Sequence, residues 1–113
     1  GNKNATVYTN QRVLEFDNSK PSLKGKNISN SNSLIIEPCF IGNNVVLENS
    51  IVGPHVSIGD GTVVKDAIIK NCIIQSHTKI SKSIIENSMI GEGAEINGKS
   101  LDLSVSDYTT INH

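Results

Sequence analysis

The 113-residue chain is short of most things a conventional core or a conventional site is built from. Trp is absent, and aromatic residues make up only 4%. A core must then come from Ile, Val and Leu. Cysteine occurs twice, as Cys39 and Cys72, which is too few for the disulfide framework of a small secreted domain. No apolar run approaches the roughly 20 residues of a membrane helix, and no signal peptide is visible. A reducing cytoplasm is therefore the expected compartment. No Arg follows Arg12, and the Lys residues are scattered. With a net charge of -1 and a pI near 6.3, there is no basic stripe for a nucleic-acid backbone. The sole methionine is Met89, so the chain lacks an initiator. Gly1 reads as a scar of tag removal, and the expectation is an excised piece of a longer protein.

Two regions differ in pattern. In residues 1–33, Val13, Leu14 and Phe16 cluster behind Thr9 or Asn10, either of which suits an N-cap. This predicts a short helix. The stretch that follows, "SKPSLKGKNISNSNS", is rich in Ser, Asn, Lys and Gly and reads as linker. Residues 1–33 are thus expected as a helix and linker leading from an upstream domain, and 34–113 as one repeat domain.

From Ile35 onward an aliphatic recurs every five or six residues: Ile35, Ile41, Leu47, Val52, Ile58, Val64, Ile69, Ile74, Ile80, Ile85, Ile90 and Ile96. A helix requires steps of 3 and 4, and a single strand requires steps of 2. Four residues after each anchor comes a second small or apolar residue: Cys39, Val45, Ile51, Val56, Thr62, Ile68, Ile73, Thr78, Ile84, Met89 and Ala94. Both ladders are expected to face inward. Gly, Asn, Asp, Ser, Lys and Glu fill the gaps, as turn and surface residues do. Each unit is then a short strand and a corner, and three units close one turn of a three-sided coil. Stacked turns bury what one turn cannot. The first corner reads "IIEPC", "VGPHV", "IKNCI", "IENSM"; the second "IGNNV", "IGDGT", "IQSHT", "IGEGA"; the third "LENSI", "VKDAI", "ISKSI", "INGKS". Leu101, Val105 and Ile111 allow a fifth, imperfect turn that closes the C-terminal end.

These repeats resemble those of the hexapeptide-repeat proteins, whose units fold as a left-handed parallel β-helix. The resemblance implies an all-β domain of about four to five triangular turns, preceded by a short helix and linker. More finely, "LIIEPCFIGNNVVLENSIVGPHVSIGDGTVVKDAIIKNCIIQSHTKI" is similar to the C-terminal region of bacterial sugar-1-phosphate nucleotidyltransferases of the glucose-1-phosphate thymidylyltransferase type. "YTNQRVLE" is similar to the helix leading out of their catalytic domain. Members commonly carry Pro-Pro where this chain has Glu37-Pro38. The resemblance implies a parent enzyme that joins a sugar 1-phosphate to a nucleoside triphosphate with Mg²⁺. The Gly-rich signature and metal-binding aspartates of that catalytic domain have no counterpart here. This segment is then a non-catalytic oligomerisation and regulatory domain with no cofactor of its own. Its partners are further copies of itself, as trimer or dimer, and the upstream catalytic domain, with no nucleic acid and no membrane.

The alternative is a hexapeptide acyltransferase using acetyl-coenzyme A. There His55 or His77 would act as general base on an acceptor hydroxyl or amine. The two fall on different corners, so a site needs a neighbouring subunit; otherwise they are solvated turn residues, and His113 is terminal. The spacing of the three His does not suit a shared zinc. Cys72 is expected above His55, in an outer ladder of Pro38, His55, Cys72 and Ser88, or as a Cys–His pair. Cys39 reads as a small core residue. "GDG" at 59–61 lacks the Lys-Ser/Thr and helix of a phosphate loop. Val46, Val63, Lys79 and Glu95 are expected to share one outer face. Val46 and Val63, with Phe40 near their edge, form a candidate subunit interface.

Overall fold

The computed structural model describes residues 3–16, 23–98, 100–101 and 104–112. One helix, α1 (Lys3–Phe16), precedes a run of short strands. The first turn consists of β1 (Leu23–Lys24), β2 (Ser29–Ser31) and β3 (Leu34–Ile35). The second holds β4 (Cys39–Ile41), β5 (Val46–Glu48) and β6 (Ile51–Val52), and the third β7 (Val56–Ile58), β8 (Val63–Lys65) and β9 (Ile68–Lys70). The fourth holds β10 (Cys72–Ile74), β11 (Lys79–Ser81) and β12 (Ile84–Glu86), and the fifth β13 (Met89–Ile90), β14 (Glu95–Asn97) and β15 (Ser100–Leu101). After them come β16 (Ser104–Val105) and β17 (Thr110–Asn112). Every strand pairs in parallel with the strand one turn away, giving three sheets: β1-β4-β7-β10-β13-β16, β2-β5-β8-β11-β14-β17 and β3-β6-β9-β12-β15. These are the first, second and third faces of a parallel β-solenoid of about five turns, consistent with a left-handed β-helix.

The predicted anchors form the core. Ile41, Leu47, Val52, Ile58, Val64, Ile69, Ile74, Ile80, Ile85, Ile90 and Ile96 are all buried, and Ile35, at the N-terminal end, is partly so. Register stacks them into columns, with Ile41, Ile58, Ile74 and Ile90 following one another on the first face. Each such side chain contributes roughly 1.5–3 kcal/mol on burial, much of which ordering the backbone offsets.

The second inward ladder differs from the expected one. Alternation along a strand sends side chains to opposite sides, so the second inward residue lies two positions before the next anchor. Where the step between anchors is six, that is four after the last anchor, and Cys39, Val45, Val56, Thr62, Thr78 and Ala94 are buried as expected. Where the step is five, it is three after, and the buried residues are Ser50, Ala67, Cys72, Ser83 and Ser88. Ile51, Ile68 and Ile84 point to solvent instead, and Ile73 and Met89 are half-buried on the outside. The inward hydroxyls are satisfied locally. Ser50 Oγ donates to the Glu48 carbonyl at 2.9 Å, and Ser83 and Ser88 do the same to Ser81 and Glu86 at 2.8 and 2.9 Å. Thr78 Oγ1 donates to the carbonyls of Gln75 and Gly91 at 2.9 and 3.1 Å.

Corners require positive φ. On the third corner this falls on Asn32, Asn49, Asp66, Lys82 and Gly98; on the second, on Asn27, Asn44, Gly61, His77, Gly93 and Tyr108. Asn, Asp and Gly tolerate the left-handed region best. The Asn side chains also tie successive turns together. Asn32 Nδ2 donates to Asn49 Oδ1 at 3.0 Å, and Asn49 Nδ2 to Asp66 Oδ1 at 2.7 Å.

Two expectations near the N-terminus are corrected. The helix starts at Lys3, so Thr9 and Asn10 lie inside it; Thr9 Oγ1 donates back to the Ala5 carbonyl at 2.9 Å, which satisfies the hydroxyl without a cap. The coil also starts before residue 34. Within the stretch read as linker, β1 pairs with β4 and β2 with β5. Backbone bonding to the next turn needs no apolar side chain, so a Ser/Asn stretch suffices; residues 17–22 lie outside the described residues. Because Ile58 is wholly buried in the central columns, Ile58→Ala is expected to lower the unfolding free energy by about 2–5 kcal/mol, read by chemical denaturation.

Candidate functional site

Three outward columns, one per face, are what the prism offers to other molecules. They differ in chemistry because the outward residue of each strand sits between two inward ones and is free to vary.

The first face is already covered. α1 packs on β7 and β10, with Val7 and Leu14 buried. Ser57 Oγ donates to Asn10 Oδ1 at 2.6 Å, Lys3 Nζ to the Asn87 carbonyl at 2.8 Å, and Asn87 Nδ2 to Asn4 Oδ1 at 3.3 Å. Phe40 stands on this face, in register with Ser57, and is 41% exposed. It is therefore on a different face from Val46 and Val63.

The second face carries Val46, Val63, Lys79 and Glu95 in one column, as expected from the sequence. Val46 and Val63 are half-buried, and Lys79 and Glu95 are exposed. A groove of about 460 Å³ runs along its C-terminal half, lined by Val63, Lys79, Glu95 and Thr110 among others. Its lining carries charges of both signs, Lys65, Lys79 and Glu95.

The third face carries the column that sequence reasoning missed. Leu34, Ile51, Ile68 and Ile84 follow one another in register. They are 56%, 39%, 42% and 53% exposed. Beside them runs a groove of about 410 Å³, bounded by Asn32, Asn49 and Asp66 of the third corner. The signal was present: counting back two from Val52, Ile69 and Ile85 gives Ser50, Ala67 and Ser83 as the inward residues, which turns Ile51, Ile68 and Ile84 outward.

The residues weighed as catalytic are not brought together. His55 is on the first corner and His77 on the second, both with positive φ. The His77 ring lies over Gly61, where a Cβ would come within 2.5 Å of its Nδ1. Tyr108 covers Gly93 in the same way, so His77 occupies a repeating corner position. Cys72 is not in an outer ladder with His55. It is wholly buried and paired with Val56, which pairs with Cys39; the five-residue step removes a corner residue and turns its thiol inward. Cys39 is buried, as expected; its thiol donates to the Ile36 carbonyl at 3.0 Å and that of Cys72 to the Lys70 carbonyl at 3.1 Å, and neither cysteine is in a disulfide. Gly59–Gly61 forms a second-corner turn stacked between its neighbours: Gly61 N–H donates to the Asn43 carbonyl and His77 N–H to that of Asp60, each at 2.8 Å. Among the described residues, no group of three or more His, Cys, Asp or Glu is placed to hold a metal ion. His113 lies outside the described residues.

Tyr108 has a displaced titration. Glu92 raises its phenol pKa above the usual value, first through its charge and then by accepting a hydrogen bond from the hydroxyl at 3.3 Å, with burial and Asp107 adding smaller effects.

The sequence model of a family described as GlmU-like, C-terminal hexapeptide, matches residues 19–96. No curated protein matches the chain.

Two outcomes are expected. Since His77 serves as a left-handed corner residue, His77→Asn should leave stability within about 0.5 kcal/mol, while His77→Val should cost about 1–2 kcal/mol in a urea melt. Alkaline absorbance titration should place the Tyr108 transition above the ordinary tyrosine range, and Glu92→Gln should lower it toward that range.

Proposed function

Because the chain belongs to the GlmU-like C-terminal hexapeptide family, we propose that it is the C-terminal β-helix of a nucleotidyltransferase-type enzyme and serves assembly and regulation rather than chemistry. The parent reaction is transfer of a nucleotidyl group from a nucleoside triphosphate to a sugar 1-phosphate, releasing diphosphate, in a cytoplasmic enzyme of the glucose-1-phosphate thymidylyltransferase type. Its Mg²⁺ and its catalytic groups belong to a domain upstream of this segment. Homo-oligomer contacts belong to the prism.

One observation carries this reading. The coil runs from β3 to β14 without an inserted loop, so none of these turns puts out a wall to enclose an acyl donor, and His55 and His77 stand on separate edges. A stack of flat, rigid sides suits self-association better than it suits a pocket. The competing acyltransferase reading needs a general base held against a bound acceptor, which neither histidine supplies within one copy.

The test compares two activities. The 113-residue chain, mixed with acetyl-coenzyme A and hydroxyl- or amine-bearing sugar phosphates, should release no thiol above background. The protein extended by its upstream coding sequence should form nucleotide sugar and diphosphate from sugar 1-phosphate and nucleoside triphosphate. Thiol release that disappears in His55→Ala or His77→Ala would overturn the proposal in favour of acyl transfer.

A further inference from the structure

We infer that the third face is where a second copy of this chain docks, with the two prisms side by side and their axes parallel about a two-fold. The inference rests on the assembly role proposed above and goes beyond it in naming the surface and the symmetry.

Three observations point to this face rather than the other two. α1 already occupies the first face. The second face has only a pair of half-buried valines before its column turns charged at Lys79 and Glu95. The third face offers four exposed aliphatics in one straight column, Leu34, Ile51, Ile68 and Ile84. Surface isoleucines scattered singly need no explanation; a contiguous column rimmed by polar residues does.

The occupant is indicated by the charges flanking that column. Asp66 stands two residues before Ile68 and Lys70 two after it; Lys82 stands two before Ile84 and Glu86 two after it. All four charged residues are exposed. The order of sign is thus reversed between neighbouring turns. About a two-fold parallel to the prism axis, each strand lies reversed over its own copy at the same level. Asp66 then meets Lys70 of the second copy, and Lys82 meets Glu86, each contact occurring twice. The turns below carry Asn32 and Ile36, and Asn49 and Gly53, at the same places, so no like charges meet. The pattern is self-complementary, which an isologous contact requires. Within one copy, Lys70 Nζ already lies 3.5 Å from Glu86 Oε2, so the intermolecular charges extend an existing pair into a network around an apolar centre. One prism face is a small interface, so association is expected at high micromolar chain concentration.

Sedimentation of the chain across a concentration series, up to about 1 mM, tests this. The expected result is a rise from one chain mass to two. Ile68→Lys with Ile84→Lys should hold the mass at one chain throughout, with the β-sheet circular dichroism and melting midpoint kept, because both side chains are exposed. Asp66→Lys alone should weaken the dimer by roughly tenfold or more. Adding Lys70→Asp should restore it, since the two-fold places residue 66 against residue 70. A double variant weaker than the single one would overturn the parallel two-fold, because opposed axes place residue 66 against Lys82. An undiminished oligomer mass in the Ile68/Ile84 variant, or a three-chain mass, would overturn the third-face dimer and leave the assembly role standing. A single-chain mass at every concentration would overturn both.

Discussion

The molecule depends on one constraint: every peptide group in a strand must bond to the turns above and below while its side chain alternates in and out. Parallel stacking meets the first half, as in the bonds from Gly42 to Ile58 and from Gly59 to Ile74, each at 2.8 Å. Alternation meets the second half, and it leaves no freedom in where the second inward residue falls. A large aliphatic anchor therefore alternates with a small partner two positions earlier. The prism is narrow, and two large inward residues per strand would overfill it. That is why Ser50, Ala67, Cys72, Ser83 and Ser88 lie inside while larger Ile51, Ile68 and Ile84 lie outside.

The same constraint explains the corners. Three bends per turn must each change direction within a few residues, and the left-handed conformation at positions such as Asn49, Gly61 and Asp66 does this. Once such residues stack, their side chains become neighbours. Asn32, Asn49 and Asp66 bond in series, and the His77 and Tyr108 rings settle over glycines of the preceding turn. These polar ladders look like sites in a linear sequence. In the solenoid they are the seams of the wall.

With the interior and the corners committed, only the outward columns remain for function. They cost the fold little, because an outward side chain has solvent or a partner on one side. The chain uses this freedom three ways: one face receives α1, one turns charged halfway along, and one stays aliphatic. A rigid rod with unlike faces binds by surface matching rather than by enclosing a ligand.

The anchor ladder was legible in residue order alone, because only an aliphatic at the axis of a narrow tube recurs at steps of five and six. From it came the all-parallel, three-sided coil, the inward place of Cys39 and the shared column of Val46, Val63, Lys79 and Glu95. The direction of Cys72, Ile51, Ile68 and Ile84 was misjudged, because a five-residue step shortens the corner and the count must run back from the next anchor. The early start of the coil at Leu23 was less legible, since Lys24 and Asn30 stand in register with the anchors Ile41 and Leu47 and break the aliphatic ladder there, leaving Ile28 and the corner residue Asn27 as its marks. Residue order by itself determined what lies at the axis, because burial of aliphatics selects residue type. Only the tertiary structure decided which outer face is covered and which is open, because that depends on where α1 comes to rest and on which turns stand in register.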